Sequence, residues 1–148
     1  MLEEFDDFTG EDSELIQTLG EEYTLLGKPI PLARPRHNTT TNRTYDSQLP
    51  EKNSAILQLK SQHISKKPYT SKLKIMIIFF FEIPKSKRKT ISIGSYHLSK
   101  PDIDNLCKFT LDVLVDSQII KTDALVSHLT ACKVYSEDPC TKIFIREL

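Results

Sequence analysis

Two aspartates, Asp102 and Asp104, stand two residues apart in the run Lys100-Pro101-Asp102-Ile103-Asp104-Asn105-Leu106, and Lys108 follows four residues after the second. Carboxylates at that spacing, at the entrance of a helix, can converge on one hard cation, which takes oxygen ligands. Mg²⁺ keeps several waters and needs one or two carboxylates plus a substrate phosphate. Asp123 opens the next segment and can return to the same place as a third carboxylate. A cation held there would polarise a phosphodiester and lower the pKa of an attacking water. Lys108, one turn beyond Asp104, would meet a phosphate or the charge developing on a leaving oxygen. The same residues also suit an ordinary helix. Ser99 with Asp102 three residues on reads as a capping box with a favourable dipole interaction of about 0.3–1 kcal/mol. Asp104–Lys108 and Lys108–Asp112 are i,i+4 pairs of ~0.2–0.5 kcal/mol each. Spacing alone leaves both readings open.

The elements that must position these residues are legible in the hydrophobic pattern. Ser99 to about Val115 reads as a helix, with Ile103, Leu106, Cys107, Thr110, Val113 and Leu114 on one face. Lys72 to Ile83 is the clearest strand, apolar on both alternating sets and so expected at the centre of a sheet, covered on both faces. Tyr23 to Ala33 reads as a first strand, irregular because of Pro29 and Pro31. Arg34 to Pro50 is rich in breakers and reads as a long loop, and Glu51 to about Ile64 as a helix. Pro84 to Lys89 reads as a basic loop and Thr90 to Tyr96 as a short strand. Leu125 to Tyr135 and Lys142 to Arg146 alternate like two strands around a turn at Asp138–Pro139. The expected fold class is α/β of the α+β type: one domain, a mixed β-sheet with helices packed on it.

Charge is distributed unevenly. The 148 residues carry 20 bases and 20 acids, but residues 1–22 hold nine of the acids and no base. Residues 28–100 hold fifteen bases against three acids. A basic body with an acidic appendage is expected to bind a polyanion, with 1–22 as an acidic N-terminal extension and 23–148 as the domain. The longest strictly apolar run, Ile75 to Phe81, is far short of the ~20 residues of a membrane helix. No basic leader precedes it, and the three cysteines form no CxxC pair. The expectation is a soluble, cytoplasmic protein without membrane contact.

The run from Tyr96 to Tyr135, YHLSKPDIDNLCKFTLDVLVDSQIIKTDALVSHLTACKVY, resembles the core of the RusA family of Holliday junction resolvases. That family shows KPDxDNLxKxxxDxL, then an acidic pair opening a strand, then a lysine just before the strand ends. Its upstream part often carries an RPR-type turn followed by a tyrosine, similar to Arg34-Pro35-Arg36 and Tyr45 here. The similarity spans about Gly27 to Leu148. The departure is Thr122-Asp123, which keeps only the second member of the acidic pair.

The resemblance implies a RusA-like endonuclease domain in which Asp102, Asp104 and Asp123 bind Mg²⁺, with Mn²⁺ as a substitute, and Lys108 assists catalysis. Asn105 would steady the helix entrance. It implies paired phosphodiester cleavage of branched DNA, four-way junctions above all, by a homodimer with no small-molecule cofactor. The alternative is a branched-DNA-binding protein with impaired catalysis, which Thr122 motivates. Arg34, Arg36, Arg43, Lys85, Lys87, Arg88, Lys89 and Lys100 are the candidates for phosphate contacts. His97 reads as an ordinary polar turn residue sooner than as a contact to substrate or an aspartate, and Asp112 and Asp116 read as solvated helix acids, although Asp112 also matches the family pattern.

Overall fold

The computed structural model describes residues 18–148. Most of the acidic extension expected over residues 1–22 lies outside them. Six strands and two α-helices lie wholly among the described residues: β1 (Glu21–Leu26), β2 (Arg36–Asn38), β3 (Arg43–Tyr45), α1 (Leu49–Ser61), β4 (Leu73–Glu82), α2 (Ile103–Asp116), β5 (Val126–Ser136) and β6 (Cys140–Glu147). The main sheet is mixed, in the order β1-β6-β4-β5, with a separate two-stranded ribbon of β2 and β3. This is the expected α+β domain with helices on a sheet.

β4 lies inside the sheet because both of its alternating sets are apolar. Leu73, Ile75, Ile77, Phe79 and Phe81 face the helices and join Leu59 of α1 and Leu106, Phe109 and Val113 of α2 in the main core. Ile78 and Phe80 point the other way and pack with Val134 and Phe144. Antiparallel pairing with β6 (Ile75 opposite Ile145) and parallel pairing with β5 (Ile75 opposite Leu129) fix its register. A parallel pair needs a crossover, and α2 supplies it: β4-α2-β5 is one βαβ unit.

Several boundaries differ from the sequence expectation. β1 stops at Leu26, and the stretch through Pro29 and Pro31 is irregular, since proline cannot donate to a ladder. The expected loop 34–50 contains the β2–β3 ribbon, whose six strand residues are all exposed. No strand forms over Thr90–Tyr96; Lys85–Lys87 form a single 3-10 turn and Tyr96 makes one isolated bridge to Val134. β5 and β6 turn at Asp138–Pro139, yet β4 lies between them, so they are not a hairpin. At Gly20, with φ +97°, a side chain would collide with the Ile145 carbonyl, so glycine is required where the chain enters β1.

Candidate active site

α2 is amphipathic, and its outward face carries the chemistry. Leu106, Phe109, Val113 and Leu114 are buried against the sheet. Asp104 and Lys108 are exposed and Asp112 is half-buried, four residues apart each, so the three form one stripe along the helix. The expected cap at Ser99 is not there. The helix begins at Ile103 with Asp102 as its N-cap residue, in extended backbone, and the Asp102 carboxylate makes no capping bond. The Asp102 carbonyl accepts from the Leu106 N–H at 3.2 Å.

Lys133 explains why the helix starts late. From half-buried on β5, its Nζ donates to the carbonyls of Ser99 (2.7 Å) and Pro101 (2.8 Å), across the cis Lys100–Pro101 peptide. Those carbonyls are committed to an ammonium thirty residues away in sequence, so Ser99–Pro101 forms a strap leading into Asp102. The carbonyl of Lys133 accepts from the His97 N–H at 3.0 Å. His97 is not an open turn residue: it is buried, stacked on Phe81 at 4.1 Å and tilted against Tyr135 at 5.0 Å. Burial first, and then the nearby Lys133 charge, hold its pKa below the usual imidazole value. Lys133→Met will leave two carbonyls without their donor and cost about 1–3 kcal/mol of stability, read as a lower denaturation midpoint. The Leu106 amide will exchange faster with solvent.

α2 and the outer part of β5 flank an open groove of about 510 Å³. Its polar lining is Asp104, Lys108, Asp112 and Asp123; Ile103, Leu111, Leu129 and others form the apolar wall. The charged groups are spread along the groove. Asp104 and Asp112 are eight residues apart on one helix, about 12 Å at 1.5 Å per residue. The Asp104 charge acts on Cys107, while the Asp123 charge acts on Asp112. The structure therefore brings Asp104 and Asp123 to one groove, with Asp102 at the helix entrance. Among the described residues no group of three or more His, Cys, Asp or Glu is placed to hold one metal ion. The donors are nonetheless all oxygen, the chemistry of a hard cation, and Asp102 with Asp104 supplies the two carboxylates that Mg²⁺ requires beside water and phosphate.

Asp112 belongs to the groove, contrary to its reading as a solvated acid. Burial pushes its carboxyl above the usual range; Asp116 and Asp123 add to that, and Lys52 and Lys108 oppose it. The signal was present in the sequence as the Asp104–Lys108–Asp112 stripe.

Asp123 is held by local geometry. Its approach, Ile119–Lys121, is pinned by Tyr69, whose N–H donates to the Ile119 carbonyl (2.8 Å) and whose carbonyl accepts from the Lys121 N–H (3.0 Å). Asp123–Leu125 form a 3-10 turn, and the Thr122 hydroxyl accepts from the Ala124 N–H at 3.3 Å as its N-cap. Thr122 thus performs the capping work that an aspartate also performs. Thr122→Asp is expected to keep the cap and add a carboxylate beside Asp123, whereas Thr122→Ala loses the cap at a cost of about 0.5–2 kcal/mol, read as a lower denaturation midpoint.

The basic residues form two exposed groups. Arg36 and Arg43 lie on the β2–β3 ribbon and Arg34 just before it. The ribbon's base is fixed beside the groove: the Leu32 N–H donates to the Asn105 carbonyl at 2.9 Å, and Lys52 of α1 pairs with Asp46 at 2.6 Å. Gln48 grips the Pro31 carbonyl and the Ala33 N–H, both at 2.7 Å. Lys85, Lys87, Arg88, Lys89 and Lys100 are exposed along the connection from β4 to α2. The cysteines are free, and burial raises the pKa of Cys107 and Cys132. Among the described residues no helix is long and apolar enough to cross a membrane.

The sequence model of the family described as endodeoxyribonuclease RusA matches residues 27–146. A relative, the uncharacterized protein YqaN of Bacillus subtilis (strain 168), is 28% identical over 138 residues, covering 86% of this chain and 96% of the relative.

Proposed function

The chain belongs to the RusA family of endodeoxyribonucleases, hydrolases that act on DNA, and from that premise we propose that it resolves four-way DNA junctions by paired, Mg²⁺-dependent phosphodiester cleavage. The observation that carries this reading is the groove between α2 and β5, where unpaired carboxylates and Lys108 line one exposed surface. Among the described residues, Asp102, Asp104, Asp123 and Lys108 form no hydrogen bond or ion pair through their side chains, so they are free to meet a ligand.

Asp102 and Asp104 would hold the cation, with Asp123 as a further carboxylate of the site. Bound there, the cation supplies Lewis acidity and an acidified water. The residues of the chain do the rest. Asp102 is aimed from the helix entrance by the Lys133 strap, and Asp104 sits in the first turn of α2. Lys108, one turn on, faces the phosphate and offsets the negative charge that grows on its oxygens. The hydrolysis inserts water across the P–O bond, leaving a phosphate on one fragment and a hydroxyl on the other.

Arg34, Arg36 and Arg43 and the cluster Lys85–Lys89 would grip phosphates along the arms, which positions DNA without reading its sequence. Replacing the three arginines together by alanine will flatten the dependence of log affinity on log salt by about one unit per arginine. It will weaken junctions of different sequence equally.

The reading is tested by supplying labelled four-way junction, three-way junction, flap and linear duplex in competition at fixed salt. Preferential cleavage of the four-way junction, in two opposed strands, supports it. Preference for flaps assigns another branched substrate, and tight binding without cleavage in Mg²⁺ or Mn²⁺ favours a binding protein that has lost catalysis.

A further inference from the structure

The connection from β4 to α2 carries apolar side chains on its outside. Leu98 is 91% exposed, the most exposed large apolar side chain among the described residues, and Tyr96 and Ile93 are 66% and 54% exposed. Scattered apolar residues on a surface are ordinary, but these three fall within one short stretch and concentrate apolar surface there. The same connection carries Lys85, Lys87, Arg88, Lys89 and Lys100, all exposed, and no acid from Ile83 to Pro101.

The exposed side chains are held still by what lies under them. Tyr96 makes an antiparallel bridge to Val134, so the backbone here is extended and successive side chains point to opposite sides. His97 points inward, stacked on Phe81 and tilted against Tyr135, which leaves its two neighbours, Tyr96 and Leu98, pointing out together. The backbone is fixed to β5 on either side of Leu98. The Tyr135 N–H donates to the Ser95 carbonyl and the His97 N–H to the Lys133 carbonyl, both at 3.0 Å, while the Lys133 ammonium donates to the Ser99 carbonyl at 2.7 Å. Leu98 buries almost nothing within its own chain, yet it is presented in one place, four residues before Asp102. Its ordering is complete before a partner arrives, which favours binding.

The basic residues select a polyanion, and the apolar side chains select a part of it that is flat and uncharged. In a continuous duplex the base faces are stacked out of reach. At a branch point the stack is interrupted, and a rigid apolar side chain can pack on a base face. Resting on the branched-DNA reading of the groove, we infer that Tyr96 and Leu98 form a wedge that packs on base faces at the branch point. Lys85–Lys89 and Lys100 hold the phosphates of the adjoining arms. Two observations make DNA the occupant: the charge of the connection, and its continuity through the Ser99–Pro101 strap with Asp102. A linear duplex meets the same cations but offers the wedge nothing to pack on. The wedge therefore separates branched from continuous DNA, a distinction that phosphate contacts alone do not make.

Binding without cleavage tests the wedge. The full chain and its Tyr96→Ser, Leu98→Ser double variant are titrated in EDTA, at fixed salt, against a labelled four-way junction and a linear duplex of matching sequence. The double variant will bind the junction about tenfold more weakly, the loss expected for a stacked base, and the duplex within about twofold of wild type. Tyr96→Phe, which keeps the ring, will bind both as wild type does. With 2-aminopurine at the branch point, wild type will change the fluorescence and the double variant will not; the same base in the middle of an arm will respond to neither. Equal losses on junction and duplex overturn the wedge, as does an unchanged junction affinity. A wild type that leaves the branch-point fluorescence unaltered overturns it whatever the variants do. A double variant that sediments as a smaller species than wild type makes the patch a contact between copies and overturns it too. Should wild type show no preference for the junction over the duplex, the branched-DNA reading itself fails and the wedge with it; a preference that survives the substitutions removes the wedge alone.

Discussion

Asp104→Asn will lower the single-turnover rate of junction cleavage by about a thousandfold, while affinity for the junction without divalent cation stays within about threefold of wild type. The size follows from what is removed: a carboxylate that would hold the cation against the reacting phosphate, and losing electrostatic stabilisation of that kind costs about 10²–10³ in rate. The substitution is isosteric and exposed, and it sits in the first turn of α2, so the fold loses only a dipole interaction of about 0.3–1 kcal/mol. Removing a negative charge from a surface that faces phosphate cannot weaken binding electrostatically, so any change in affinity will be toward tighter binding. Gel-shift titration in EDTA beside rapid-quench cleavage in Mg²⁺ separates the two quantities. Equal losses of binding and rate would move Asp104 out of the chemistry.

Phe79→Ala is the largest expected effect on stability. Phe79 is 1% exposed on β4, on the side packed against both helices, and its strand neighbours are Thr141 of β6 and Lys133 of β5. Truncating a buried phenylalanine costs about 3–5 kcal/mol through lost transfer energy and the cavity left behind. Against a typical total of about 5–15 kcal/mol, that is a large fraction of the stability. Guanidinium unfolding will give a much lower midpoint with an unchanged slope. A shift below 1 kcal/mol would mean that β4 is not at the centre of the core.

What could be read from the sequence follows the range of the interactions involved. β4, α2, β5 and β6 were legible because their apolar residues repeat at the period of the element that buries them. The β2–β3 ribbon was not, since its six residues are exposed and polar or charged enough to leave no hydrophobic period. The entrance of α2 misled in a specific way. Ser99 and Asp102 have capping-box spacing, yet the Lys133 ammonium takes the carbonyls of Ser99 and Pro101 and shifts the cap to Asp102. No local pattern announces a donor on a strand formed thirty residues later. The separation of β5 from β6 was hidden for the same reason, because a three-residue turn does not reveal a third strand between its arms. At the site, residue types and the Asp104–Lys108–Asp112 stripe were visible, whereas the meeting of that stripe with Asp123 in one groove required the fold.

The most direct test of the account is cleavage of a synthetic four-way junction by wild type in Mg²⁺, with Asp102→Asn and EDTA as the two controls. The account predicts paired nicks at symmetric positions in opposed strands, lost in both controls while binding persists. Cleavage that survives either control would contradict it, as would a wild type that binds the junction tightly in Mg²⁺ and leaves every strand intact.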